Sequence, residues 1–227
     1  MINGKIQKLP SVRRLPTYLH KLMEMEKKGI ALVSTTVLAE YMDTEPIGVR
    51  KDLEITGITG QPGVGYKTAE LIAAIRGFLG WDNNYEAVLA GAGSLGRALM
   101  GYEGFEHYGL QIVAAFDSDP EKIGNYIFNR KIHDVRVLPE FCIEKKMHLG
   151  IICVPAAHAQ PVADLMVDGG IKAIWSFANV ALKVPEDVIV QREVIAGGLA
   201  VLSVKLAQRL SSELELAGTN EKQEICR

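Results

Sequence analysis

Ala87-Val88-Leu89-Ala90 runs directly into Gly91-Ala92-Gly93-Ser94-Leu95-Gly96, and Arg97-Ala98-Leu99-Met100 follows. A G-x-G-x-x-G string alone is weak. Here a strand-like apolar run precedes it and a helix-like run follows. A second apolar run, Ile112-Val113-Ala114-Ala115-Phe116, then closes on Asp117, about 20 residues beyond Gly96. This order predicts a βαβ unit of the dinucleotide-binding kind. Gly91 permits the tight turn, Gly93 lets backbone approach a pyrophosphate, and Gly96 lets helix and strand pack closely. Ala92, Ser94 and Leu95 complete the turn into a helix whose free N–H groups face the phosphates. Asp117 is placed to accept hydrogen bonds from a ribose diol.

Downstream, apolar strand-length runs alternate with helical patterns. The runs are 87–90, 112–116, 149–154, 173–176 and 188–190. Short continuous apolar strands suit a parallel sheet covered on both faces, so residues 81–196 are expected to form a doubly wound α/β domain. Val154-Pro155 falls at the carboxyl end of the third run, where such sheets bind ligands. An amphipathic helix is expected over 197–210, and the polar stretch 211–227 is expected to be a mobile tail.

The 80 residues upstream read differently. Val12, Leu15, Leu19, Leu22 and Met23 recur at helical spacing across residues 11–28, with Pro16 tolerable in a first turn. Ser34 caps a short helix at Thr35–Met42. Pro46 opens a third helix over 47–55, glycines crowd 57–65, and 67–79 is helical again. Helix, short helix, turn, helix, glycine-rich hairpin is the order of a winged helix-turn-helix, which predicts DNA binding by residues 1–80. Arg50 and Lys51 on the third helix would reach base edges or phosphates, and Arg13 and Arg14 would hold backbone phosphates. A small helical bundle with a solvated basic face is the plainer reading of the same residues.

The net charge of −2 over 227 residues does not advertise nucleic-acid binding, but residues 1–28 are locally basic. Cys142, Cys153 and Cys226 lack metal-ligand spacing, and three cysteines make no disulfide framework. No signal-peptide h-region or membrane-length apolar run is present. These features lead to the expectation of a cytoplasmic protein without a metal.

Together, Arg13-Arg14-Leu15-Pro16-Thr17-Tyr18-Leu19, Val49-Arg50-Lys51-Asp52-Leu53, Gly63-Val64-Gly65-Tyr66, the glycine motif, the stretch 113–124 and Val154-Pro155-Ala156-Ala157-His158-Ala159-Gln160 resemble the Rex family of redox-sensing transcriptional repressors. The resemblance covers about residues 9–210. It implies a homodimer of winged helices and Rossmann domains that binds operator DNA and releases it when NADH binds. It implies a C-terminal helix swapped between subunits, which here carries Leu199, Leu202, Leu206 and Leu210. Tyr102 and Phe177 would flank the nicotinamide.

Several positions depart from the family pattern. Gln61 and Pro62 replace a basic pair in the wing, Glu54-Ile55-Thr56 replaces aromatics after the third helix, and Asn179 replaces a proline. Val194 stands where the family carries an Asp that pairs with the Tyr102 position and helps sense redox state.

Asp117 favours NAD(H), because its charge would repel a 2′-phosphate. Ser118 and Lys122 could instead bond one. Three alternatives remain at this level: a small NAD-dependent oxidoreductase, a CoA-binding domain of the same topology, and a DNA-binding protein whose NAD is structural. The first lacks a substrate domain and any catalytic set, and His158 alone does not make one.

Overall fold

The computed structural model describes residues 9–225, with side chains as far as Ser212. Its internal contacts divide the chain into two units. One comprises residues 1–85 and 103–111, the other 86–102 and 112–227. The chain thus passes between the units at 85/86, 102/103 and 111/112, where the sequence suggests a boundary after residue 80.

In the first unit the order is α1 (Leu9–Lys27), β1 (Leu32–Val33), α2 (Thr35–Met42), α3 (Pro46–Glu54), β2 (Tyr66–Lys67) and α4 (Thr68–Leu79). The stripe Leu15, Tyr18, Leu19, Leu22 and Met25 buries one face of α1 against Leu38, Val49, Leu53, Leu71 and Ile75. Helix α1 is already formed at Leu9, so Pro16 lies in its interior rather than in a first turn. An interior proline costs about 3 kcal/mol; burial of Leu15, Tyr18 and Leu19 offsets that cost. Helix α2 is capped as expected, Ser34 accepting the Val37 N–H at 3.3 Å. Pro46 opens α3, where its missing N–H costs nothing. Strands β1 and β2 pair antiparallel, Val33 opposite Tyr66, and close the base of the glycine-rich wing. Gly65 there takes φ +95°, with no room for a Cβ beside the Val33 carbonyl.

The second unit holds all but the first residues of β3 and β4 in a seven-stranded sheet of order β5-β6-β4-β3-β7-β8-β9. Its strands are β3 (Tyr85–Ala90), β4 (Leu110–Asp117), β5 (Tyr126–Ile127), β6 (Arg130–Asp134), β7 (Leu149–Ile152), β8 (Ala173–Ser176) and β9 (Ile189–Arg192). The β6/β4, β3/β7, β7/β8 and β8/β9 pairs are parallel, and the short β5/β6 hairpin at the edge is antiparallel. The order runs outward from β3 in both directions, so the switch point lies between β3 and β7. Helices α5 (Ser94–Met100), α7 (Leu138–Lys145) and α8 (Ala156–Asp168) connect these strands. Val88, Ala90, Phe116, Ile152, Leu138 and Met166 form the centre of one buried core.

A four-residue helix, α6 (Gly104–His107), lies between α5 and β4, in the segment that belongs to the first unit. Arg76 on α4 holds it. Its guanidinium donates to the His107 carbonyl at 2.7 Å, to Asp82 at 2.9 Å and to the Trp81 carbonyl at 3.2 Å. The Trp81 and Tyr108 rings lie 4.6 Å apart.

The last helix, α9 (Ala196–Ile225), extends into the stretch 211–227 expected to be a mobile tail, and 226–227 fall outside the described residues. No proline interrupts the stretch, and the Ser211 and Ser212 hydroxyls donate to the carbonyls of Ala207 and Gln208, both at 2.9 Å, so neither is left unpaired.

Candidate nucleotide cleft and nucleic-acid interface

At the carboxyl ends of β3, β4 and β7, a cleft of about 460 Å³ brings together Gly91, Gly93, Asp117, Ser118, Lys122, Val154 and Pro155. Seven predicted positions distant in sequence thus meet at the switch point. Gly91 has φ +104°, and a Cβ there would lie 2.7 Å from the Cys153 backbone. Gly96 abuts the Gly91 carbonyl so closely that no side chain fits. Gly93 differs: nothing lies within 4 Å of where its Cβ would point. The first and third glycines are therefore required by the fold, whereas the second keeps a space open in front of the α5 N-terminus. Ser94 and Leu95 occupy the first turn of α5. A pyrophosphate fits this arrangement, with free N–H groups and no side chain in its way.

Asp117 ends β4 with its carboxylate already engaged. It accepts the Ala92 N–H at 2.8 Å and the Asp119 N–H at 3.0 Å, and pairs with Lys122 Nζ at 3.2 Å. Burial pushes its pKa up, but the Asp119 and Ala92 N–H bonds and the Lys122 ammonium outweigh this and hold it below the usual carboxylate range. Its bond to Asp117 raises Lys122 in turn. The Asp thus has a task the sequence did not reveal: it fastens the glycine turn to the end of β4. A carboxylate has about four acceptor positions, so capacity for a ribose hydroxyl remains.

Tyr102 and Phe177 do not line this cleft. Tyr102 is half exposed beyond α5, and Phe177 follows β8 with its ring 4.9 Å from Trp175. Val194 is 43% exposed, and its hydrocarbon side chain offers neither donor nor acceptor. The cleft also includes residues that motif reading missed: Val135, Cys153, His158, Pro161 and Leu165. Their signal was weak, an apolar i, i+4 pair (Pro161, Leu165) on α8. Burial pushes the Cys153 thiol up to about 12, so it is protonated and not a nucleophile at neutral pH. No cluster of three metal-ligating side chains occurs among the described residues.

In the first unit, α3 buries Val49, Asp52 and Leu53 and turns Arg50 and Lys51 outward. Arg13 on α1 is also exposed. Among the described residues none of these three cations has an ion-pair partner. Arg14, also expected to hold a phosphate, is engaged inside the unit while its side chain stays 43% exposed. Its Nε and Nη2 each donate to Asp52 at 2.6 Å, and Tyr18 donates to the same carboxylate at 2.8 Å. The Asp52 side chain is only 3% exposed. Burial would raise its pKa, but bonds from Arg14, Ser11 and Tyr18 hold it below the ordinary value. Arg13 and Arg14 are adjacent, so they point about 100° apart around the helix, one to solvent and one to α3. Arg14 therefore ties α1 to the outward-facing helix through Asp52. A cleft of about 740 Å³ between α3 and the wing is lined by Arg50, Glu54, Gln61 and Pro62, with Thr35 and Thr36 at the start of α2.

A winged helix followed by a Rossmann sheet with an open cleft at its switch point defines a nucleotide-binding transcription regulator. The comparisons agree. Residues 9–54 match the family of DNA-binding protein N-termini, and residues 82–180 match the CoA binding domain family. The chain is 47% identical to the redox-sensing transcriptional repressor Rex of Treponema denticola, over 91% of this chain and 98% of that one. It is 38% identical to Rex of Caldicellulosiruptor saccharolyticus, over 95% and 98%. The crystal structure of RSP in complex with NAD⁺ and operator DNA superposes with a TM-score of 0.83 at 35% identity, covering 93% of this chain and 98% of that one. The NADH complex of RSP gives 0.82 at 34% identity, over 93% and 100%. This chain belongs to the Rex family of redox-sensing transcriptional repressors.

Proposed function

We propose that this repressor reads operator DNA through Arg13, Arg50 and Lys51, and holds NAD(H) in the cleft at the β3/β7 switch point. The glycine turn and the α5 N-terminus take the pyrophosphate, and Asp117 with Ser118 and Lys122 takes the adenosine ribose. Val154 and Pro155 wall the cleft, and Tyr102 and Phe177 approach the nicotinamide once it is bound. The open space in front of Gly93 carries this reading: it is the one glycine of the motif that the fold itself does not require. The dinucleotide is a signal and not a reagent, because the family is one of repressors and not of enzymes.

The two ligands act by linkage. If NADH and DNA favour different arrangements of the repressor, each weakens the other by the same factor, about 5–150-fold for a coupling of about 1–3 kcal/mol. Val194 supplies no hydrogen bond toward the nicotinamide region, so discrimination between NADH and NAD⁺ falls to other groups, and a weakened redox response is the reading this residue favours.

The acting species is a cytoplasmic homodimer joined through α9. Leu199, Leu202, Leu206 and Leu210 are each more than half exposed along that helix, an apolar face of the kind that partners bury. No helix among the described residues is long and apolar enough to cross a membrane.

The test is a gel shift on a duplex selected by the protein itself, run with NAD⁺, with NADH and with neither. NADH should weaken the shift, and the duplex should weaken NADH binding equally. Equal DNA affinity in all three lanes would remove the switch and leave the DNA-binding role standing.

A further inference from the structure

Helix α3 shows solvent one complete face, Ile47, Arg50, Lys51 and Glu54, at spacing i, i+3, i+4, i+7. Its opposite face is spent on Val49, Asp52 and Leu53. Two members of the outward face are unfavourable for the chain on its own. Ile47 is an aliphatic side chain left 63% exposed. Glu54 is the last residue of the helix, where the partial negative charge of the carbonyl end repels a carboxylate. Among the described residues no ion pair joins Glu54 to Arg50 or Lys51, although both lie within helical reach. Glu54 instead shares with Arg50 the lining of the cleft between α3 and the wing.

Both oddities match what a major groove displays. The thymine C5-methyl is an apolar knob that takes aliphatic contacts, and the cytosine N4 amino group is a donor that a carboxylate accepts. Along the helix, Ile47 and Glu54 are separated by about 10 Å, close to three base-pair steps of about 3.4 Å. A carboxylate on this face also repels phosphates, which penalises every register in which no cytosine amino group meets it.

We propose that Ile47 and Glu54 are specificity-determining residues of the operator contact. Ile47 packs on a thymine methyl, Glu54 accepts from a cytosine amino group about three base pairs away, and Arg50 and Lys51 bind between them. The inference rests on the reading of α3 as the DNA-contacting helix.

The experiment is selection from a pool of randomised duplexes by the full chain, by Glu54→Ala and by Ile47→Ala. Fluorescence anisotropy then follows on the wild-type winner and on single-base versions of it. The wild-type winner should hold a C·G pair and a T·A pair at this spacing. Replacing the cytosine should cost the wild type about 5–100-fold and Glu54→Ala less than about twofold, with the other positions still selected. Ile47→Ala should relax the thymine position alone. Because discrimination is a ratio within each protein, a general change of affinity or of folded fraction cancels. Undiminished cytosine discrimination by Glu54→Ala, or a wild-type winner without that cytosine, overturns the proposal for Glu54. Undiminished thymine discrimination by Ile47→Ala does so for Ile47. If the wild type enriches no sequence at all, the DNA-reading role of α3 falls first.

Discussion

The nucleotide cleft and the exposed face of α3 are built on opposite plans. In the cleft, polar groups are bound to one another before any ligand arrives. Asp117 ties the Ala92 and Asp119 N–H groups, Lys122 covers Asp117, and two glycines are locked by backbone contact. On α3, Arg50 and Lys51 stand free in solvent, and the order lies underneath, in the Arg14–Asp52–Tyr18 cluster that holds the helix. A preorganised cleft loses little entropy on binding but tolerates few substitutions. A solvated face can change its residues, and with them its target, while the buried cluster stays the same.

The largest effect should come from the cluster beneath the exposed face of α3. Asp52→Ala leaves a half-exposed arginine and a buried tyrosine hydroxyl without their acceptor, and should cost about 3 kcal/mol of unfolding free energy in urea titration. A loss under about 1 kcal/mol would mean that the cluster behaves like a surface ion pair.

Next is Gly93→Val. The space in front of Gly93 accommodates the side chain, so the fold should persist. NADH affinity, followed by nicotinamide fluorescence, should drop at least about 100-fold, equivalent to about 2.7 kcal/mol. DNA binding by the ligand-free protein should change by less than about twofold. Parallel loss of both activities would contradict the contrast between cleft and face.

Acid should affect both regions in the same direction. Asp52 and Asp117 have folded pKa values depressed below the unfolded value of about 3.9, so each contributes stability that is fully present above that value. That contribution is lost as pH falls through the folded pKa. Urea midpoints should decline below about pH 4, and more shallowly in Asp52→Asn. An unchanged slope in that variant would place the acid sensitivity elsewhere.

The smallest effect belongs to Arg13→Ala. An exposed cation that contacts one phosphate should weaken all duplexes uniformly by about three- to tenfold and reduce the salt slope of binding by about one. A change that depends on sequence would show that Arg13 reads bases.

The cleft was legible because its parts are defined by backbone need. Gly91 and Gly96 have no substitute at their positions, and strands β4, β7 and β8 announce themselves as apolar runs. The elements that escaped are short or depend on distant partners. Helix α6 has four residues and β5 only two, below any periodicity. Arg14 and Arg13 look alike in a sequence; only the location of Asp52, 38 positions on, separates a structural arginine from a solvated one. The stretch 211–225 looked like a tail because its composition is polar, yet Glu213, Leu214, Glu215, Leu216 and Ala217 are all good helix formers.

The segment 103–111 makes the first unit discontinuous: the chain passes between units at 85/86, 102/103 and 111/112. A fragment ending at residue 85 would therefore not be a whole domain. It would leave Arg76 without the His107 carbonyl and Trp81 without the Tyr108 ring. The DNA reader cannot be excised or grafted onto another sensor by a single cut. Any functional transplant must carry with it the loop that leaves the nucleotide-binding half directly after Tyr102.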